Sequence, residues 1–251
     1  MGSELLNVGM FPDNVKKALV PYVLAMLDSF KGGVVSVFAY GSVTGADYDP
    51  KRSDINLAFV LADNSMKKLL PASKCILSGL KKRINVPLFI TPEYIRMSLD
   101  SFPVEFTEMK ESRVVLFGKD ILNDIEVRKE DLRRECEYQI KGKLLTLRQA
   151  CLEMSGKAKD IDRLLKSALK GLFPVFRSLV RLKNAGVAGR GRREVLSRIG
   201  EIYGLDISVF VKILDGAATG CKPGPGDASR RMDDFFDVLN KISVLIDEIK
   251  I

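Results

Sequence analysis

The sequence predicts an α/β domain followed by an all-α helical bundle. Two observations indicate this: apolar strand-like runs alternate with amphipathic helical segments up to about residue 125, and helical spacing dominates from Arg128 onward. The predicted domains are therefore 1–125 and 126–251. With 251 residues, 46% of them hydrophobic, the chain is long enough to bury a sizeable core.

Four strands are predicted in the first half, because short apolar and β-branched runs there are bounded by turn residues. These runs cover 34–40, 55–61, 86–91 and 113–118. Helical spacing covers 13–30, 64–83 and one or two short segments within 92–111. In the second of these helices, the residues predicted to form the apolar side are Leu69, Leu70, Ile76, Leu77 and Leu80.

The second half is predicted to be helical almost throughout. Glycine-containing segments divide it into helices with short connections, which is typical of a bundle. The predicted helices are 128–154, 158–185, 191–203, 206–215 and 227–250. Residues 126–200 carry 19 Lys and Arg against 9 Asp and Glu, so the basic excess of the chain lies in one segment.

Composition excludes several classes of chemistry. The chain has no histidine, which removes histidine-based triads, phosphohistidine relays and most zinc hydrolase sites. The cysteines at 75, 136, 151 and 221 form no C-x-x-C pair, so neither a disulfide framework nor a zinc site is expected. No apolar run reaches about 18 residues and no secretory signal is recognisable. We therefore expect a cytoplasmic protein without a membrane partner.

The most specific motif is a strand, a loop and a second strand. The first strand ends in VFAY-Gly41-Ser42, and after a polar loop the second opens with Ser53-Asp54-Ile55-Asn56-Leu57. This pattern resembles the nucleotidyltransferase superfamily. It is most similar to the bacterial branch that pairs such a domain with a C-terminal helical bundle, as in aminoglycoside adenylyltransferases and kanamycin nucleotidyltransferase. The resemblance implies an α+β domain with a small mixed sheet, extending over about 30–125.

The resemblance also implies how the residues act. Gly41 allows the backbone to approach a phosphate, and Ser42, with Ser53 nearby, offers a hydroxyl to the nucleotide. Side chains at i and i+2 of a strand share a face, so Asp54 and Asn56 are the candidate catalytic residues and Mg²⁺ ligands. The implied substrate is an NTP, with ATP expected, whose nucleoside monophosphate is transferred to an acceptor hydroxyl.

The sequence departs from the family pattern at two of three acidic positions. Asn56 replaces a carboxylate by a neutral amide, and Pro87 stands near the place where a third acid is expected. Asp47, Asp49 and Glu93 are candidate replacements, although their spacing does not require it. The fold is therefore indicated more strongly than the activity.

A second candidate anion site lies in the helical half. Arg190, Arg192 and Arg193 lie at the start of a predicted helix, where backbone N–H groups and the helix dipole favour anions. They are predicted to contact nucleotide phosphates across a cleft between the two domains.

Three hypotheses follow. The chain is a Mg²⁺-dependent nucleotidyltransferase, or a catalytically inactive relative that acts as a nucleotide-binding regulator or interaction module, or, more weakly, an RNA-binding protein that uses its basic helices. The acceptor of the first hypothesis is a small molecule, a protein or RNA, and the sequence does not choose among them. The helical bundle is also a candidate surface for a homodimer.

Overall fold

The structure, a computed structural model, describes residues 4–45, 47–51, 53–154, 157–183, 191–220 and 224–251. The chain divides into two compact units. The first holds Met1–Asp100 and Glu105–Val127, and the second holds Ser101–Val104 and Arg128–Ile251. The fold is a small mixed sheet with helices, followed by a helical region, as the sequence predicts.

The first unit is built on four strands, and each strand coincides with an apolar run of the sequence. They are β1 (Val34–Tyr40), β2 (Asn56–Leu61), β3 (Leu88–Ile90) and β4 (Val114–Gly118). Their order in the sheet is β3-β2-β1-β4. β1 pairs antiparallel with both β2 and β4, whereas β2 and β3 are parallel, so the sheet is mixed.

Helices of the first half of the chain precede β1 or connect the later strands. They are α1 (Asp13–Ser29), α2 (Met66–Leu69), α3 (Ser73–Leu80), α4 (Pro92–Met97) and α5 (Pro103–Ser112). Short 3-10 turns cover Val8–Met10, Gly41–Thr44 and Leu70–Ala72.

The two faces of the sheet carry separate apolar clusters, because alternate side chains of a strand point to opposite faces. On one face, Leu19 and Met26 of α1 pack with Val37 and Phe59. On the other face lies a cluster that includes Phe38, Ala58, Ile95, Phe106 and Leu122. Both central strands are therefore buried on both sides, which explains their nearly continuous apolar sequences.

The prediction of one helix over 64–83 is wrong. Pro71 has no N–H to donate and interrupts the segment, which becomes α2, a 3-10 turn and α3. The predicted apolar side is also wrong in part, because Leu70 and Leu77 are 60% and 61% exposed. The small residues Ala72 and Gly79 are buried instead.

The second unit is helical. Its elements are α6 (Lys129–Glu153), α7 (Ala158–Leu182), α8 (Arg192–Tyr203), α9 (Ser208–Thr219) and α10 (Pro225–Asp247). Helix α7 is central, since it contacts each of the other four helices. Successive aromatic contacts link its rings to α9 and α10, through Phe173, Phe176, Phe210 and Phe235. Among the described residues, no helix has the length and apolar character that a membrane span requires.

Candidate functional site

The turn after β1 is centred on Gly41. Its φ of +79° is a left-handed conformation that glycine adopts without steric cost. The Gly41 N–H donates a hydrogen bond to Ser112 Oγ over 3.2 Å, and the Gly41 carbonyl accepts one from the Thr44 hydroxyl over 2.7 Å. The turn is therefore held by Ser112, the last residue of α5, and by Thr44, the last residue of the turn. Ser42 lies within it and is partly buried.

Asn56 begins β2 and faces this turn. It lies opposite Tyr40 in the antiparallel pairing of β1 with β2. The Oδ1 atom of Asn56 accepts a hydrogen bond from Nδ2 of Asn85 over 2.8 Å. Its own Nδ2 atom lies 3.2 Å from the position that a Cβ atom would occupy on Gly41. Asn56 thus directs an N–H donor, not an oxygen ligand, towards the Gly41 turn.

Asp54 forms an ion pair with Arg83. Nε and Nη2 of Arg83 both donate to Oδ1 of Asp54 over 3.3 Å, and Nη1 donates to the carbonyl of Lys51. The side chains of Arg83 and Asp54 are 43% and 48% exposed, so solvent screens the pair and it contributes little to stability. The carboxylate predicted to bind metal is therefore neutralised by a cation of the same chain.

The loop before β2 is closed by local hydrogen bonds. The backbone N–H of Ser53 donates to the Asp49 carbonyl over 2.7 Å, and the Asp49 N–H donates to Ser53 Oγ over 3.0 Å. Oδ1 of Asp49 accepts from the Lys51 N–H over 2.8 Å. These bonds give Asp49 and Ser53 a structural role in positioning Asp54. The nucleotide contact of Ser53 stays a prediction.

The side chains present do not fit a two-metal site. Mg²⁺ requires near-octahedral oxygen ligands, usually including carboxylates. The Asp54 charge is balanced by Arg83, and Asn56 and Asn85 are neutral amides bonded to each other. Glu93 is exposed in the first turn of α4. Across the part of the chain that the structure describes, no three His, Cys, Asp or Glu residues form a group that could hold a metal ion.

The predicted arginine cluster of the helical half is engaged within its own unit. Arg193 forms an ion pair with Asp215 of α9. The guanidinium of Arg192 lies over the Phe173 ring, 5.6 Å from its centroid. Arg190 lies outside the described residues. Phosphate binding by these arginines stays a prediction.

Many basic side chains of α6 and α7 already neutralise carboxylates. Asp131 is 3% exposed and pairs with both Arg128 and Arg134. Further pairs of the same unit are Arg133–Glu137, Lys141–Glu137, Lys141–Asp247, Arg163–Asp160 and Lys166–Asp162. These pairs place many of the basic side chains in contact with carboxylates of the same unit. The RNA-binding hypothesis stays a prediction.

Three residues of the site carry no sequence signal of their own. Arg83 and Asn85 precede β3, and Ser112 ends α5. Ile55 and Ile84 form a parallel bridge, and this bridge brings Arg83 to Asp54 and Asn85 to Asn56. Parallel pairing of β2 with β3 could have indicated the neighbourhood, but only the observed register identifies the residues.

Comparison with known proteins supports the fold. No protein-family model matches the chain, and no curated protein sequence matches it. A similar solved structure is spectinomycin adenyltransferase from Enterococcus faecialis, determined with ATP and spectinomycin. The TM-score is 0.55 at 10% identity, over 89% of this chain and 97% of the other. The chain therefore has a nucleotidyltransferase-like fold.

Proposed function

We propose that this chain binds a nucleoside triphosphate, with ATP as the expected nucleotide, at the Gly41 turn and the start of β2. We further propose that it acts as a nucleotide-binding module and does not catalyse two-metal nucleotidyl transfer. The observation that carries this proposal is the Asp54–Arg83 pair beside two neutral amides, where transfer would require a group of carboxylates.

The polarity of the site supports anion binding. Asn56 presents an amide N–H₂ group and Arg83 a guanidinium, while Ser42 offers a hydroxyl that is partly buried. Donors of this kind bind phosphate oxygens, and a guanidinium forms charge-assisted hydrogen bonds with them. The similar adenyltransferase was solved with ATP, which supports the choice of nucleotide.

Nucleotidyl transfer is the second candidate function. Asp54 keeps the position of the first acidic residue of the motif, and its side chain is about half exposed. In this case the acceptor is a small hydroxylated molecule, a protein or RNA. The acceptor and a homodimer both remain predictions from the sequence.

Calorimetric titration with each of the four NTPs tests the proposal. We expect micromolar binding of at least one NTP, weakened about 10-fold by Ser42→Ala through loss of a hydrogen bond to a charged group. Ser78→Ala is the matched control, because Ser78 is exposed and its hydroxyl donates to the nearby Cys75 carbonyl over 2.7 Å.

Two results would decide against the proposal. If none of the four NTPs binds, this site is not a nucleotide site. If pyrophosphate is released when ATP is supplied together with an acceptor, the second candidate function replaces the first.

A further inference from the structure

We propose that Arg83 takes the place of the divalent cation at this site, so that the chain binds a triphosphate without Mg²⁺. This inference rests on the proposed function and specifies its chemistry. It concerns the metal requirement of binding: the chain binds the metal-free nucleotide tetra-anion and does not need its magnesium complex.

The backbone holds Arg83 beside Asp54. Arg83 has a φ of +61°, and its N–H donates to the Leu80 carbonyl over 3.1 Å. Its carbonyl accepts from the Ile55 N–H over 2.8 Å, and the Ile55 carbonyl accepts from the Asn85 N–H over 3.0 Å. The backbone N–H and carbonyl of Ile55, the residue after Asp54, are thus hydrogen-bonded to Arg83 and Asn85. The Arg83 side chain therefore starts next to Asp54 before any ligand arrives.

The Arg83 guanidinium has more N–H donors than its contacts with Asp54 and Lys51 use. It carries five N–H bonds in a planar fork. Three of its nitrogens donate one bond each, two to Oδ1 of Asp54 and one to the Lys51 carbonyl. Within the part of the chain that the structure describes, the other two N–H bonds have no partner, and the side chain is 43% exposed. Asp54 and Lys51 thus orient a cation whose outer edge is open to a phosphate.

The groups that the site presents favour an anion over a metal ion. Asp54 and Arg83 together carry no net charge, and a divalent cation brought to Asp54 would be repelled by the guanidinium at short range. Asn56 faces the same turn with a donor, and its one oxygen is occupied by Asn85. The site therefore offers the N–H groups of Arg83 and Asn56, and its one carboxylate, that of Asp54, is already paired.

The first test compares ATP binding in EDTA with ATP binding in excess Mg²⁺ by calorimetry. We expect the two dissociation constants to agree within about threefold. Arg83→Gln should weaken binding in EDTA by about 10-fold or more, through loss of charge-assisted bonds. Lys82→Gln removes the same charge from the adjacent exposed residue and should leave the dissociation constant nearly unchanged. Thermal melting of each variant confirms folding.

The second test uses Mn²⁺ alone, followed by electron paramagnetic resonance, and requires no nucleotide. The wild-type chain should not bind Mn²⁺ at Asp54, because Arg83 excludes the ion from this carboxylate. Arg83→Gln should gain a bound Mn²⁺ signal, and the double variant Arg83→Gln/Asp54→Asn should lose it again.

The outcomes separate the inference from the proposed function. ATP binding that requires Mg²⁺ overturns the inference and leaves nucleotide binding intact. No ATP binding in either buffer overturns the proposed function and nucleotide binding by Arg83 with it. If Arg83→Gln binds Mn²⁺ no better than the wild type does, the proposal that Arg83 takes the place of the cation is overturned.

Discussion

Gly118 lies so close to Val35 that a Cβ atom on Gly118 would be 2.1 Å from the Val35 carbonyl oxygen. Gly118 ends β4, pairs with Ser36 of β1 and has a φ of +74°. Strand β1 leads at its other end into the Gly41 turn. The approach of β4 to β1 therefore helps to fix the strand that carries the candidate site.

Gly118→Ala should destabilise the protein strongly. The new methyl group requires displacement of the Val35 backbone, and alanine is strained at this φ, so we expect a loss of about 3 kcal/mol or more. Gly142→Ala is the opposite case, since Gly142 lies within α6 and a Cβ atom on it would meet nothing within 4 Å. It should stabilise by about 1 kcal/mol. Urea unfolding of both variants measures their free energies of unfolding. Equal changes in the two variants would contradict the close contact of Gly118 with Val35.

Gly41→Ala should weaken nucleotide binding. Left-handed backbone costs alanine about 1 kcal/mol, and its Cβ would press on the Asn56 amide, 3.2 Å away. Gly45→Ala, in the same loop, has extended backbone and room for a Cβ, so it is the control. Calorimetry with ATP should show a loss of about 10-fold or more for Gly41→Ala alone. Unchanged affinity would mean that the nucleotide does not contact this turn.

Asn56→Asp should make ATP binding dependent on Mg²⁺. The variant places a second carboxylate near Asp54, which repels a metal-free triphosphate and adds a metal ligand. The double variant Asp54→Asn/Asn56→Asp keeps one carboxylate in total and should bind ATP in EDTA better than Asn56→Asp does. Calorimetry in EDTA and in Mg²⁺ checks this. A single variant indifferent to Mg²⁺ would show that Asn56 lies away from the phosphates.

Asp131 should make stability sensitive to acid. Hydrogen bonding from Arg128 holds the pKa of Asp131 below its usual range, with the charge of Arg134 contributing and burial opposing. Because the folded-state pKa is depressed, this stabilisation is complete above the unfolded pKa of about 4 and is lost as the pH falls through the lower folded value.

Asp131→Asn removes this contribution. The free energy of unfolding of the variant should be about 1–2 kcal/mol lower than that of the wild type at pH 7. Its melting temperature should fall less than that of the wild type between about pH 5 and pH 2. Glu130→Gln, exposed in the same helical turn, is the control and should keep the wild-type profile. Parallel profiles for wild type and Asp131→Asn would contradict the assigned role.

The sequence predicts the sheet better than the helices that cover it. Strands β1 and β2 are buried on both faces, so their apolar runs are nearly continuous and their bounds are visible. The segment after β2 misleads, because periodicity counts large apolar side chains. The residues that pack inward there include Gly79, where a Cβ atom would lie 2.5 Å from the Tyr22 ring. The spacing of apolar residues does not indicate a close contact that is possible only because glycine has no side chain.

The sequence predicts only those residues of the candidate site that lie close together along the chain. Gly41, Ser42, Asp54 and Asn56 follow from the spacing of one strand–loop–strand unit. The partner that changes the chemistry, Arg83, is 29 residues from Asp54, and its place depends on the register of a parallel pair. The loss of carboxylates is visible in the sequence, whereas the pairing of Asp54 with Arg83 is visible only in three dimensions.

The assignment of Ser101–Val104 to the second unit has a consequence for biosynthesis. These four residues emerge from the ribosome before Glu105–Val127, which completes the first unit, and well before Arg128–Ile251, with which they belong. Val104, the last of these four residues, is 1% exposed in the folded chain. Cutting the gene after Val127 would keep all residues of the first unit together but would separate Ser101–Val104 from the rest of the second unit.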